Sequence, residues 1–173
     1  MEAVVEFVAR VSLMAIPLYL CNSLALVFGG KRPIDFGKKF FDGRRILGEG
    51  KTLRGTALGI ALGTMGALLV KTAFPETSIF LQSDYLAYGF LLSVGAVAGD
   101  FIESFFKRRF GVERGKSIFP LDQTDFVFGG LALGSILVVP TLLEWVFLLA
   151  FTVLAHVIGN WIAYFAKLKQ NPW

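Results

Sequence analysis

Residues 85–126 read "YLAYGFLLSVGAVAGDFIESFFKRRFGVERGKSIFPLDQTDF" and join an apolar run to a charged one. The apolar part approaches the roughly 20 residues that a helix needs to cross a bilayer. Residues 99–126 then carry five basic and five acidic side chains. The whole chain of 173 residues is 55% hydrophobic, with a mean hydropathy of +0.65. This pattern predicts an integral membrane protein with a charged segment at the membrane surface.

The apolar runs predict an all-α fold with about five transmembrane helices in a single transmembrane domain. The predicted spans lie near 3–28, 53–74, 85–106, 125–140 and 142–166. Between them are two charged loops, 29–52 and 107–124. Glu2 and Glu6 stand where a signal peptide would carry positive charge, so we expect the first run to remain as a helix.

The basic residues predict the orientation of the chain in the membrane. Of the 17 Lys and Arg residues, all except Arg10 and Lys71 lie in the two charged loops, at the adjoining helix ends or near the C-terminus. The positive-inside rule places these segments on the cytoplasmic side, with the N-terminus outside and the C-terminus inside. Five crossings satisfy that orientation.

Glycines recur at four-residue spacing inside the predicted spans, as Gly55, Gly59 and Gly63 in the second and Gly95 and Gly99 in the third. Small residues at this spacing let helix backbones approach closely in lipid. We interpret them as packing surfaces. No internal repeat is visible in the sequence, which disfavours a transporter built from inverted repeats.

Three polar residues, Asp100, Ser104 and Lys107, share one face of the third predicted helix. Asp100 lies inside the apolar run, where a charge costs about 2.5–3.5 kcal/mol on insertion scales. Such a group needs a partner, water or a function. An Asp100–Lys107 ion pair and a functional site therefore both remain open.

Asp122 and Asp125 lie one helical turn apart, where the fourth span is predicted to begin. Two carboxylates at this spacing can share a hard divalent cation, and oxygen ligands together with phosphate suit Mg²⁺. Helix capping is the alternative explanation. Capping would explain one aspartate but not both together with Asp100.

Basic residues surround these acids in the second loop, at Lys107, Arg108, Arg109, Arg114 and Lys116. Carboxylates and cations in one place are typical of a metal–polyphosphate site. The first loop has a similar composition in residues 35–55, "DFGKKFFDGRRILGEGKTLRG", whose glycines permit a backbone that wraps an anion. Its "GKT" is not a P-loop, because the first glycine of G-x-x-x-x-G-K is missing.

These motifs together resemble a known family. The residues that carry the resemblance are Asp100, Ser104, Lys107, Arg108, Lys116, Asp122 and Asp125. Their order is similar to the signature of the CDP-diacylglycerol synthases, the membrane-bound CTP:phosphatidate cytidylyltransferases. The archaeal branch, the CDP-archaeol synthases, is more similar still. It shares the short chain, "DGRRILGEGKTLRG", "GKSIFPLDQTDF" and an H-x₃-N element in the last helix.

One departure concerns the lipid substrate. The bacterial and eukaryotic enzymes have a histidine- and glycine-rich stretch where this chain has only "KSIFPLDQTD". Their preference for ester lipids therefore cannot be transferred. The shorter form resembles the archaeal branch.

The resemblance implies that CTP and 2,3-bis-O-geranylgeranyl-sn-glycerol 1-phosphate (unsaturated archaetidic acid) give unsaturated CDP-archaeol and pyrophosphate, with Mg²⁺ as cofactor, at the cytoplasmic face of the cell membrane. No nucleic-acid partner is expected. The implied catalytic residues are Asp100, Lys107, Asp122 and Asp125, and Asp100, Asp122 and Asp125 would hold metal. The implied nucleotide- or phosphate-binding residues are Lys51, Thr52, Arg54, Arg108 and Lys116, with Ser104 and Gln123 orienting their neighbours.

Two other functions fit the sequence less well. A CDP-alcohol phosphotransferase would need D-G-x₂-A-R followed by a glycine, but Ile46, Leu47 and Thr56 occupy those positions. A small ion-coupled transporter could use intramembrane acids. It would also need access from both sides, whereas the acids here lie near one face.

Five further polar residues have two interpretations each, Asn22, Ser23, Glu103, His156 and Asn160. They could form ordinary hydrogen bonds or ion pairs between helices, or take part in the site. Glu6 and Arg10, at i and i+4, are predicted to form a structural ion pair near the outer surface.

Overall fold

The computed structural model describes residues 1–112 and 116–167. The regular elements of this part are α1 (Glu2–Val27), α2 (Leu53–Ala73), α3 (Thr77–Leu81), α4 (Tyr85–Arg109), α5 (Leu121–Gly134) and α6 (Leu142–Phe165). The predicted all-α membrane fold is confirmed. Arg114 and Lys169, two of the bases used to predict orientation, lie outside the described residues.

Four helices, α1, α2, α4 and α6, are long and apolar enough to cross a membrane. α5 has 14 residues, about 21 Å at 1.5 Å per residue, against a hydrocarbon core of about 30 Å. It begins before the predicted residue 125, since Asp122 suits the first turn of a helix. It ends before residue 140, and turn hydrogen bonds to Leu133 and Gly134 continue the chain. The number of crossings therefore stays a prediction.

Close glycine contacts join the helices. Gly63 of α2 lies so near α1 that an added Cβ would be 2.8 Å from the carbonyl oxygen of Pro17. On the other side of the bundle, Gly95 and Gly99 of α4 pack against the backbone of α5 around Gly129. The predicted packing role of these glycines is confirmed. The contacts place α5 antiparallel along α4, with its first turn beside the end of α4 that carries Lys107.

A buried ion pair joins the helices at the opposite end of the bundle. Arg10 Nε donates to Glu144 Oε1 at 2.5 Å, and Arg10 Nη1 donates to the carbonyl oxygen of Phe80 at 3.0 Å. Arg10 thus pairs with Glu144 of α6 rather than, as predicted, with Glu6. The backbone amide of Thr141 also donates to the Glu144 carboxylate. This capping contact fixes the carboxylate at the start of α6, where Arg10 reaches it.

Candidate active site

An open cavity of about 680 Å³ lies where the end of α4, the start of α5 and the first loop meet. We call it the polar cavity. Predicted residues that line it are Lys51, Asp100, Ser104, Lys107, Arg108, Asp122 and Asp125. Because Asp100, Ser104 and Lys107 all face this cavity, they share one face of α4 as their spacing predicts.

Ion pairs cross the polar cavity between elements. Lys107 Nζ lies 2.5 Å from Asp122 Oδ2 on α5 and 3.3 Å from Glu103 Oε1 on its own helix. Lys51 of the first loop pairs with Asp100. The Asp100–Lys107 ion pair that the sequence allowed is therefore not the one that forms. Asp100 pairs with Lys51, and Lys107 pairs with Asp122. These contacts tie both the first loop and α5 to α4.

Asp125 adds a further carboxylate to the same wall. Its backbone packs directly against Gly99, next to Asp100. Its carboxyl group is within electrostatic range of Asp100, Glu103 and Lys51. The cavity thus concentrates negative charge on α4 and α5, with cationic side chains in contact with it. A triphosphate together with a divalent cation would match both signs of charge.

The first loop is held in shape by one buried carboxylate. Asp35, 7% exposed, accepts hydrogen bonds from Arg45 Nη2 at 2.5 Å and from the amides of Leu47 at 3.1 Å and Gly48 at 3.0 Å. Burial alone would raise the pKa of Asp35. The hydrogen bonds from Arg45, Gly48, Gly37 and Leu47 instead hold that pKa well below its ordinary value. Asp35 therefore stays ionised and keeps the loop folded against the cavity.

A second cavity of about 790 Å³ runs between α4 and α5. We call it the apolar groove, since its walls include Ile102, Phe106, Phe128, Ala132 and Leu133. Glu103, Lys107 and Asp125 line both the groove and the polar cavity. A long apolar molecule in the groove could therefore place a charged head group beside Lys107.

Comparison with known proteins identifies the family. A family model described as CarS-like, CDP-archaeol synthase, matches residues 4–173. The CDP-archaeol synthase of Methanocaldococcus jannaschii is 43% identical over 166 residues, covering 91% of this chain and 93% of the relative. That of Pyrococcus abyssi is 45% identical over 161 residues, covering 91% and 94%. The chain belongs to the CDP-archaeol synthase family.

A solved structure of an intramembrane enzyme for archaeal membrane lipids biosynthesis shares the fold of this CDP-archaeol synthase family member, with a TM-score of 0.77 and 35% identity. The match covers 86% of this chain and 90% of that one. The predicted family and nucleotidyltransferase class are thereby confirmed, as is multi-pass membrane residence. CTP-dependent formation of CDP-archaeol is confirmed at the level of the family. The transporter and CDP-alcohol phosphotransferase interpretations are left without support.

Some residues that the family resemblance implied lie outside the lining of the polar cavity, namely Thr52, Arg54, Lys116 and Gln123. Thr52 caps α2, with its Oγ1 accepting the amides of Gly55 at 3.1 Å and Gly30 at 3.0 Å. Gln123 Nε2 donates to Ser117 Oγ at 3.1 Å. Contact of these four residues with nucleotide stays a prediction.

Other residues of the polar cavity were not predicted. Arg44, Arg45 and Glu49 of the first loop line it. Two adjacent arginines in a glycine-containing loop were the available signal. The side of the loop that faces the cavity depends on Asp35, whose contacts with Leu47 and Gly48 reach across the loop and could not be inferred from spacing.

The donor set fits Mg²⁺ in chemistry but not as a preformed cage. Among residues 1–112 and 116–167, no three His, Cys, Asp or Glu side chains form a metal-binding group. Mg²⁺ commonly binds one or two carboxylates and completes its shell with water and substrate phosphate. Asp122 Oδ1 is buried and receives no hydrogen bond from a donor group in the described part of the chain, and the carboxyl group of Glu103 lies close to Asp122, so Asp122 could serve as a ligand. Coordination by Asp100, Asp122 and Asp125 stays a prediction.

A smaller cavity of about 370 Å³ lies on the far side of the Lys51–Asp100 pair. Asn22, Ser23 and His156 line it together with that pair. The sequence alone did not decide whether these polar residues belong to the site. They lie beside the Lys51–Asp100 pair, on the side away from the polar cavity. Glu103, by contrast, lines the polar cavity itself.

Replacing Asp35 by Asn should lower kcat/KM for CTP by about tenfold or more. The change keeps the side-chain shape but removes charged hydrogen bonds, worth about 1.5–3 kcal/mol each, and leaves Arg45 with Glu49 as its acidic partner. Steady-state kinetics with varied CTP measures this effect. Glu76→Gln, an exposed change at the start of α3, should leave the kinetics unchanged. Wild-type kinetics in D35N would contradict the positioning role.

The depressed pKa of Asp35 also predicts a pH response. Its stabilising contribution is present above about pH 4, the ordinary pKa of Asp, and is lost only as the pH falls through the lower pKa of the folded state. Between about pH 5 and pH 9 the melting temperatures of wild type and D35N should therefore depend on pH in the same way. Thermal melts of both proteins across this range provide the measurement, and a step present only in wild type would contradict it.

Proposed function

We propose that this member of the CDP-archaeol synthase family transfers the cytidylyl group of CTP to unsaturated archaetidic acid, releasing pyrophosphate, with Mg²⁺ as cofactor. The observation that carries the proposal is the junction of the two cavities. The apolar groove and the polar cavity adjoin, since Glu103, Lys107 and Asp125 line both of them. A lipid with two prenyl chains and a phosphate head suits the groove, and a triphosphate suits the polar cavity.

The reaction needs positioning and charge stabilisation more than proton transfer. The lipid phosphate has a second pKa of about 6, so it is largely a dianion near neutral pH. One of its oxygens forms a bond to the α-phosphorus of CTP, while the bond from that phosphorus to the α–β bridging oxygen breaks. The electron pair leaves with pyrophosphate. A strong general base is unnecessary, and catalysis rests on in-line geometry and on cations near the phosphates.

Lys107 is the residue best placed to orient both substrates, because it lines the groove as well as the polar cavity. Lys51, Arg45 and Arg108 are in position to bind the triphosphate. Asp122 would hold Mg²⁺, with Asp100 and Asp125 beside it. The bound metal would neutralise phosphate oxygens during charge development on the leaving group.

The distribution of charge supports a cytoplasmic active site. Arg44, Arg45, Lys51, Lys107 and Arg108 all line the polar cavity. The other end of the bundle carries Arg10 and Lys71, each paired with a carboxylate. By the positive-inside rule, this distribution supports a cavity on the cytoplasmic side, where CTP is available.

Pyrophosphate release by the purified protein in detergent tests the proposed reaction. The assay contains CTP, Mg²⁺ and unsaturated archaetidic acid, and the controls omit lipid, omit metal or replace CTP by another nucleotide. Release that requires all three components, together with formation of the CDP-lipid, supports the proposal. No release from protein that is shown to be folded would overturn it.

Replacing Ala132 by Phe should raise KM for the lipid about tenfold and leave KM for CTP unchanged. Ala132 lines the apolar groove and not the polar cavity, so a bulky ring there competes with a prenyl chain. Ala57→Phe places the same ring on the exposed face of α2 and should change neither constant. An unchanged KM for the lipid in A132F would show that the apolar groove does not bind the lipid.

A further inference from the structure

Aromatic rings form a continuous row from the first loop to the wall of the apolar groove. We call it the aromatic strip, and its members are Phe41, Phe40, Phe105, Phe106 and Phe110. Successive ring centroids are 4.9, 5.3, 5.7 and 6.4 Å apart. Phe106 and Phe110 also line the groove. The strip therefore connects a loop outside the helices to the apolar groove in which the lipid is proposed to bind.

Much of this apolar surface is uncovered by protein. Phe41 is 98% exposed and Phe110 is 76% exposed, and Phe36 on the same loop is 67% exposed. Between Phe36 and Phe41 the chain carries Lys38 and Lys39, both exposed. Contiguous exposed apolar surface of this kind marks an interaction site. Its combination with lysines is typical of segments that lie on anionic membranes.

The length of α4 indicates how deep the aromatic strip lies in the membrane. α4 has 25 residues, about 37 Å, whereas the hydrocarbon core is about 30 Å thick. If α4 enters the core at its first residues, near Tyr85, it leaves the core close to Phe105. Phe40 contacts Phe105, and the guanidinium of Arg109 lies 4.9 Å from the centroid of each of these two rings. With α4 placed in this way, the first loop would lie at the level of the lipid headgroups.

We propose that residues 36–41 dock into the headgroup layer of the membrane that the helices cross. Phe36 and Phe41 insert between lipids, while Lys38 and Lys39 contact anionic headgroups. This docking surface is independent of the reaction proposed above. It explains exposed phenylalanines that no contact within the described part of the chain covers, and it places the loop that carries Arg44 and Arg45 against the membrane.

A spin label at position 41 tests the docking directly. The chain has a single cysteine, and Cys21 is buried, so Cys21→Ser with Phe41→Cys gives one labelled site. In nanodiscs of anionic lipid, the ratio of collisions with oxygen to collisions with a water-soluble nickel complex should be severalfold higher than for a label at the exposed Glu76→Cys. A label at the exposed Leu69→Cys of α2 gives the value for contact with lipid. A ratio equal to that of Glu76→Cys would overturn the proposal.

Reversing the two lysine charges separates insertion from electrostatic attraction. Adding Lys38→Glu and Lys39→Glu should lower the ratio at position 41 in anionic nanodiscs and leave it unchanged in neutral ones. An unchanged ratio in anionic nanodiscs would overturn the assignment of Lys38 and Lys39 as headgroup contacts. None of these readouts uses enzyme activity, so failure of the proposed reaction leaves the result interpretable.

Discussion

Replacing Asp122 by Asn should nearly abolish Mg²⁺-dependent pyrophosphate release while leaving the protein folded. The change removes the charge that holds Lys107 at 2.5 Å and turns the carboxylate whose buried Oδ1 is proposed to bind metal into a neutral amide. Loss of one preorganised charge-stabilising group costs about 10²–10³-fold in rate. Two such contributions at one residue place the expected loss at the upper end of that range. The measurement is kcat with a titration of Mg²⁺.

Asp84→Asn provides a matched control. Asp84 also pairs with a lysine, Lys71, but at the other end of the bundle. It caps α4 by accepting the amide of Ala87 at 2.8 Å, a role that asparagine can also fill. D84N should therefore retain wild-type turnover. Retained turnover in D122N would remove Asp122 from the proposed metal site, and equal losses in both variants would indicate damage to the fold.

Replacing Gly99 by Ala should destabilise the protein and inactivate it. An added Cβ would collide with the backbone of Asp125 and lie 3.0 Å from Cα of Gly129, and neither atom can move without shifting α5. Overpacking of this kind costs about 1–3 kcal/mol. Displacement of α5 would also separate Asp122 and Asp125 from α4. We expect a fall of several degrees in melting temperature and at least about a hundredfold loss of activity, as for misplaced catalytic groups.

Gly159→Ala tests whether the effect comes from packing. Gly159 lies within α6, and nothing lies within 4 Å of a Cβ added there. Since Ala is favoured over Gly in a helix interior, G159A should match or exceed the wild-type melting temperature. Thermal melts in detergent and the pyrophosphate assay on both variants provide the measurement. A stable, active G99A would show that the α4–α5 contact can widen at no cost.

The sequence predicts one wall of the polar cavity well because helical spacing determines it. Asp100, Ser104 and Lys107 fall on one face of α4 from their spacing alone, and Asp122 precedes Asp125 by one turn of α5. The glycines predict close packing for the same reason. These inferences need only the helical repeat and the chemistry of the side chains.

Partners that are distant in the chain could not be predicted in this way. Lys51 reaches Asp100 across 49 positions, so the nearer Lys107 was an equally reasonable partner. Arg10 likewise pairs with Glu144 instead of Glu6. The fold of the first loop depends on Asp35 and on backbone amides that no residue pattern reveals. These ion pairs and the conformation of the first loop are determined by tertiary contacts.

The lysine–aspartate pairs of the polar cavity have a thermodynamic consequence. Lys51 and Lys107 each neutralise an aspartate in partly buried surroundings. A polyanion that attracts the lysines would leave the carboxylates uncompensated, which raises the affinity of the cavity for a divalent cation, and the converse holds equally. Binding of anion and cation should therefore be linked, each strengthening the other by the same factor. Each ion would therefore bind more weakly alone than in the presence of the other.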